Sequence, residues 1–311
     1  MFSRTRQFVF RRLRRWPMVR TLEIRRRFRI ERDLLNGRTH HVAAHPSILH
    51  FSINKAATQY TRRILLRCGR ENGLLPVQMS AYAWNADFPY LFTLSAEEVK
   101  PYLHIFRPQG YLYTVFGGLV EGIPNLDLYH TVIMVRDPRD VLVSGFYSYA
   151  YSHIAPPSEE KVEEFEEWRT FVQNLTLDEY AIEISRNLRE RLQKYLAVTA
   201  VYPQTCVLKY EQMIADFPAW LDCLLSYCQL KISSGLRQEL INEANQTSHK
   251  KKEEISQHRR QVTPGEHKQK LKPETIEYLN TYLADVLAGF GYATAPEKII
   301  HGSQVGLDSQ Y

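Results

Sequence analysis

The chain has 311 residues, 44% hydrophobic and 24% charged, with 14 Gly and 15 Pro. That ordinary globular composition excludes a mostly disordered, collagen-like or mucin-like protein. The net charge of +6 is unevenly placed: residues 1–38 hold 13 Arg, no Lys and only Glu23, Glu31 and Asp33, a net +10, which leaves −4 on the remainder. Basicity therefore belongs to the N-terminal tail and says nothing about the ligand of the body. No uninterrupted apolar run approaches the roughly 18–20 residues of a membrane span, and no apolar stretch follows the basic N-terminus as it would in a secretory signal. The expectation is a cytoplasmic protein, soluble or peripheral to a membrane surface. The four cysteines, Cys68, Cys206, Cys223 and Cys228, form no CxxC pair, so they read as reduced structural thiols, and no zinc site is expected of them.

Residues 1–42 read as an Arg-rich extension. Phe2, Phe8, Phe10, Leu13, Trp16, Val19, Leu22, Ile24, Phe28 and Ile30 are interspersed with the arginines. That pattern suits a helix lying on an anionic membrane surface. It would also attract nucleic acid electrostatically, or serve as a solvated extension partly packed on the body. Beyond it, short apolar runs at Ile48–Ile53, Tyr111–Phe116, Thr131–Val135 and Cys206–Lys209 read as buried strands. Helical patterns fall near 56–70, 138–150, 160–174, 178–198, 210–228, 232–246 and 273–289. The alternation predicts βαβ units and a parallel sheet flanked by helices on both faces, an α/β domain spanning 43–295 with a polar C-terminal tail at 296–311. Ligands of such sheets sit at the carboxyl ends of the strands.

Two strand-to-helix junctions carry chemistry. In HFSINKAATQYTRRIL, residues 50–65, the apolar run ends at Ile53, Lys55 follows, and small Ala56 and Ala57 lead into a helix near Thr58. Small side chains let backbone N–H groups approach an anion, and the helix N-terminus adds its dipole. Lys55 opens this loop, whereas the NTPase pattern G-x-x-x-x-G-K-[ST] has Lys at its end. In YHTVIMVRDPRDVLVSGFYSYAYSH, residues 129–153, a strand runs into Arg136, Asp137 is a helix N-cap and Pro138 occupies the first helical position. Arg136 and Ser144 can converge on one anion, and guanidinium forks suit phosphate oxygens. Read singly, Arg136 would as readily pair with Asp140.

Together, these junctions resemble the PAPS-dependent sulfotransferases, PAPS being 3′-phosphoadenosine 5′-phosphosulfate. In that family a loop approximating (Y/F)PKSGTTW grips the 5′-phosphosulfate, and R(D/N)P(R/K)D…S grips the 3′-phosphate with the Arg-to-Ser spacing found between Arg136 and Ser144. Residues 207–218, VLKYEQMIADFP, are similar to a later family motif whose tyrosine, here Tyr210, faces the nucleotide. Residues 258–292 resemble the closing segment, with Arg260 on the arginine that reaches the 3′-phosphate. The resemblance covers roughly residues 46–292 and implies a P-loop-like α/β fold.

It further implies sulfuryl transfer from PAPS to a hydroxyl or amine without a metal. Lys55, Ala56, Ala57, Thr58, Gln59 and Tyr60 would hold the 5′-phosphosulfate and adenine, with Lys55 stabilising the bridging oxygen. Arg136, Ser144 and Arg260 would hold the 3′-phosphate. Among the departures, Ala57 fits its loop position only if φ stays below zero, Tyr60 replaces a stacking tryptophan, and Val262 and His267 replace a glycine and a tryptophan. The base is open: the family's histidine position falls on Thr114, which leaves His104 and Asp87 as candidates. Aromatic runs at 82–92 and 145–153 suit a small-molecule, lipid or carbohydrate acceptor. Residues 1–38 suit peripheral contact with an anionic membrane, and nucleic acid is not expected as a partner. The alternative is an inactive body whose basic tail binds a membrane surface or nucleic acid.

Overall fold

The computed structural model describes residues 17–157, 159–248 and 263–293. Five parallel strands, β1 (Ile48–Ser52), β2 (Leu75–Val77), β3 (Tyr111–Phe116), β4 (His130–Val135) and β5 (Cys206–Lys209), form one sheet in the order β2-β3-β1-β4-β5. Every residue of β1 and β3 is buried, as is every residue of β4 after His130. Continuous apolar runs of this kind belong to strands covered on both faces. The four expected strands are present. β2 was not legible, because its sequence is three residues with Pro76 at the centre; proline lacks a ladder donor and is tolerated here because β2 is an edge strand.

The helices are α1 (Pro17–Arg27), α2 (Arg29–Leu35), α3 (Thr58–Glu71), α4 (Met79–Asn85), α5 (Pro138–Tyr147), α6 (Glu159–Gln173), α7 (Leu177–Val201), α8 (Tyr210–Ala215), α9 (Phe217–Tyr227), α10 (Ser234–Ser248), α11 (Pro273–Tyr282) and α12 (Ala284–Gly289). Two expected helices are broken in the middle. Asp216 ends α8 and caps α9 by accepting from Ala219 N at 3.0 Å, with Pro218 in the first turn, and Leu283 separates α11 from α12. The expected helix at 138–150 closes at Tyr147 and continues as a π-turn over Ser148–Ser152. Such turns often sit at functional sites.

The second half of the expected extension packs on the body. Phe28 and Leu34 are buried, and buried Glu31 accepts from Gln78 N at 2.6 Å, tying α2 to the end of β2. α6 is tied to α4 by Lys161, whose Nζ donates to the carbonyls of Ala83, Ala86 and Phe88 at 2.6, 3.1 and 3.2 Å. A cation at a helix C-terminus satisfies carbonyls that have no intrahelical partner. Among the described residues, no helix is long and apolar enough to cross a membrane.

The turn entering β3 depends on Gly110, which has φ +79° and exchanges backbone bonds with His45 O and Leu75 N. A Cβ there would lie 2.3 Å from Val42 Cβ and 2.8 Å from Ala43 O. Left-handed backbone at alanine and forced overpacking each cost about 1–3 kcal/mol. Gly110→Ala is therefore expected to lower stability by roughly 2–5 kcal/mol, read as a lower denaturation midpoint; an unchanged midpoint contradicts this packing.

Candidate functional site

The chain leaves β1 toward β2 and β4 toward β5, so a crevice opens between the carboxyl ends of these adjacent strands, the position where doubly wound sheets bind ligands. A cavity of about 980 Å³ fills it and extends over β3. Its lining includes Lys55, Ala57, Thr58, Gln59, Tyr60, Arg136, Ser144 and Tyr210, so residues from three separated stretches of sequence meet at one site.

The loop after β1 turns sharply. Lys55 has φ +72° and Ala57 has φ +55°, which corrects the expectation that Ala57 keeps φ below zero. Left-handed backbone costs an L-residue about 1–2 kcal/mol, and such strain gathers at functional sites. Ala56 is fully buried in the turn and does not line the cavity. Thr58 Oγ1 donates to Ile53 O at 2.9 Å and contacts Ser52 Oγ at 2.8 Å, so its hydroxyl fastens the turn to the strand. No side chain caps α3, which leaves its first N–H groups for a ligand. Tyr60 packs against Phe217 at 6.0 Å, and Phe217 stacks on Trp220 at 5.8 Å, an aromatic wall near β5.

Arg136 is 4% exposed at the tip of β4. Its Nη1 donates to Lys55 O at 3.2 Å, and its guanidinium lies 4.5 Å from the centre of the Tyr210 ring. Nη2 is 3.8 Å from both Asp140 Oδ2 and Glu266 Oε2. Nε and Nη2 have no hydrogen-bond partner. Two buried guanidinium nitrogens thus lack a hydrogen-bond partner beside a cavity, which is costly unless a ligand completes them. Ser144 on α5 and Ser148 at the start of the π-turn line the same cavity, and buried Ser148 Oγ also has no hydrogen-bond partner. Neighbouring Arg139, by contrast, is consumed by structure: it forks onto Asp137 and reaches Asn280 and Ala293 O.

Asp140 fixes the closing segment against α5. It is fully buried and accepts from Gly265 N at 2.6 Å, His267 N at 3.0 Å and His267 Nδ1 at 2.6 Å. Gly265 has φ +89° with open space where a Cβ would be, so backbone conformation, not room, makes glycine suitable there. His267 thus anchors the segment where the resemblance has a tryptophan. Arg260 lies outside the described residues. Among those described, no group of three or more His, Cys, Asp or Glu is placed to hold a metal.

Neither base candidate reaches the cavity. Asp87 is exposed at the turn after α4 and His104 has its ring nitrogens on Pro101 O and Leu35 O, at 2.8 and 3.1 Å, so it fastens α2 to the segment before β3. Thr114 does line the cavity, and His50 stands behind it, Nδ1 to Oγ1 2.9 Å. Burial, with the Arg62 charge adding to it, holds the His50 ring down at about 3, hence neutral. The imidazole that lines the cavity is His153, missed because it hides in an aromatic run. It follows the π-turn, and its ring is 5.5 Å from Tyr149, 5.7 Å from Phe165 and 6.0 Å from Trp84. Arg169 holds this turn by donating to Tyr149 O and His153 O, and Tyr149 Oη accepts from Asn54, beside Lys55, at 3.1 Å.

A family model described as the sulfotransferase domain matches residues 127–291, more than half of the chain, and the chain belongs to that family. Among solved structures, retinol dehydratase in complex with androsterone and inactive cofactor PAP matches at TM-score 0.51 and 15% identity, covering 83% of this chain and 85% of that one. Mouse sulfotransferase SULT7A1 complexed with PAP matches at TM-score 0.49 and 15% identity, covering 84% and 94%. Sulfotransferase STF9 from Mycobacterium avium matches at TM-score 0.46 and 11% identity, covering 88% and 82%. No curated protein matches the chain.

Asp140 supplies a test of the anchoring geometry. Burial raises its pKa, but the His267 hydrogen bonds and the Arg136 charge outweigh it and hold the carboxyl down at about 2. Its stabilising effect is complete above the unfolded value of 3.8 and is lost as pH falls through about 2, a contribution of about 2 kcal/mol. Asp140→Asn is expected to lower the denaturation midpoint near neutral pH, with the gap to wild type narrowing between about pH 4 and 2. A gap independent of pH contradicts the assignment.

Proposed function

We propose that this sulfotransferase-family chain moves a sulfuryl group from PAPS to a hydroxyl or amine of an acceptor, releasing 3′-phosphoadenosine 5′-phosphate (PAP). The observation that carries the reading is Arg136, a buried guanidinium whose Nε and Nη2 lack hydrogen-bond partners beside the cavity. A phosphate oxygen would complete them. The residues present fit the donor. Lys55 and the uncapped start of α3 would receive its 5′-end, Arg136 and Ser144 its 3′-phosphate, and Tyr60 and Phe217 its adenine face.

The bound donor supplies the sulfuryl group, whose bond to the 5′-phosphate oxygen breaks as a bond to the acceptor oxygen or nitrogen forms. Lys55 would neutralise the charge that grows on the departing oxygen, where a fixed cation acts with little reorganisation. The sheet order separates the two halves of the site. β4 and β5 carry Arg136 and Tyr210, whereas β3 and α4 carry Thr114 and Trp84 on the opposite side of β1. The aromatic side, with Trp84, Tyr90, Phe92 and Phe165, would hold the acceptor, a small molecule, lipid or carbohydrate with an apolar face. His153, on this side, would take the proton released by the acceptor.

Two variants test these roles against radiolabelled PAPS. Lys55→Ala should reduce transfer at least about a hundredfold, the loss typical of removing one preorganised charge-stabilising group, while PAP still binds; undiminished transfer contradicts the role. His153→Ala should cut kcat by about 10²–10⁴ with PAP affinity preserved, and full activity would remove it as the base.

A further inference from the structure

Two further arginines line the acceptor side of the cavity, Arg27 at the end of α1 and Arg62 one turn into α3. Arg62 donates from Nη1 to Gln59 Oε1 at 3.3 Å and from Nη2 to Gln78 Oε1. Both partners are neutral amide oxygens, and Gln59 also lines the cavity. Arg27 lies over the Phe28 ring at 5.0 Å. Among the described residues neither guanidinium is in an ion pair. Burial, then the charge of Arg27, makes the charged form of Arg62 less favourable than usual, so the two cations act on each other. An acid that feels the Arg27 charge is Glu31. It is buried, bonded to Gln78 N, and its pKa is raised chiefly by burial despite Arg27.

Of these two like charges beside one cavity, Arg62 is half-buried with only neutral amide partners and Arg27 is exposed; desolvating one cation next to another is unfavourable in the empty protein. They are not needed for the donor, whose phosphates fall to Lys55 and Arg136 on the other side of the helix start. An anionic acceptor, however, would be repelled by the donor's phosphates unless a local cation offset them. Resting on the sulfotransferase reading above, we infer that Arg27 and Arg62 form a subsite for an anionic group, carboxylate or sulfonate-like, carried by the acceptor at the end away from its reacting hydroxyl. Trp84, Tyr90 and Phe92 would cover the apolar body between the two ends.

The test uses the full chain loaded with PAP, and calorimetric titration with ω-(4-hydroxyphenyl)alkanoic acids of increasing chain length, the matching sulfonates, and the methyl esters of the acids. Acids or sulfonates of one length should bind about 10- to 100-fold more tightly than the uncharged ester, the usual range for hydrogen bonds to a charged group. Whichever series binds better identifies the anion. Arg62→Gln, which keeps an amide donor for Gln59 and Gln78, should erase most of that preference with PAP affinity unchanged, and Arg27→Gln should erase part of it. Esters binding as well as the anions at every length, or a preference that survives in the double variant, overturns the inference. Failure of PAP itself to bind would instead overturn the sulfotransferase reading.

Discussion

A cation buried without full hydrogen bonding organises this site. Arg136 sits at the end of a strand buried from Thr131 onward, 3.8 Å from two carboxylates, with its Nε and Nη2 lacking hydrogen-bond partners. Burying it is tolerable because Asp140 stays ionised beside it, and Asp140 stays ionised because the closing segment delivers three donors to it. The segment from Gly265 to His267, the helix after β4 and the cavity wall at Arg136 are therefore one interlocked unit. Loosening Asp140 would loosen Gly265 and His267 and at the same time strip Arg136 of its nearest counter-charge.

The fold was legible in the sequence to the extent that single residues impose it. Ile48–Ser52 and Thr131–Val135 are short runs dominated by apolar residues, a pattern that a strand covered on both faces accommodates, and Asp137-Pro138 announces the start of α5 through a cap and a proline needing no donor. Lys55, Arg136 and Ser144 could be picked out because each stands at a strand end or on the first turns of the next helix, whereas Tyr210 was named only through the family resemblance. What escaped was set by tertiary packing. β2 is too short and too interrupted by Pro76 to show a period. The positive φ of Ala57 is enforced by the loop around it, against the residue's own preference. His153 follows the wider π-turn in which α5 ends, which no spacing argument on a regular helix anticipates. His104, chosen for its residue type, is occupied in holding α2.

Charge in the chain is also divided by structure rather than by sequence position. The arginine-rich N-terminal stretch looks uniform, yet Arg27 joins the cavity wall while Glu31, four residues on, is drawn into the body by Gln78. The sequence left open an extension partly packed on the body; Phe28 and Leu34 are buried there, and Arg27 lines the cavity.

The central claim is that Arg136 is a 3′-phosphate site. The most direct test is calorimetric titration of the protein with PAP and with 5′-AMP, which differ only in that phosphate. Charge-assisted hydrogen bonds to a buried guanidinium contribute about 1.5–3 kcal/mol each, so PAP should bind about a hundredfold or more tightly. Equal affinity for the two nucleotides would contradict the account at its root.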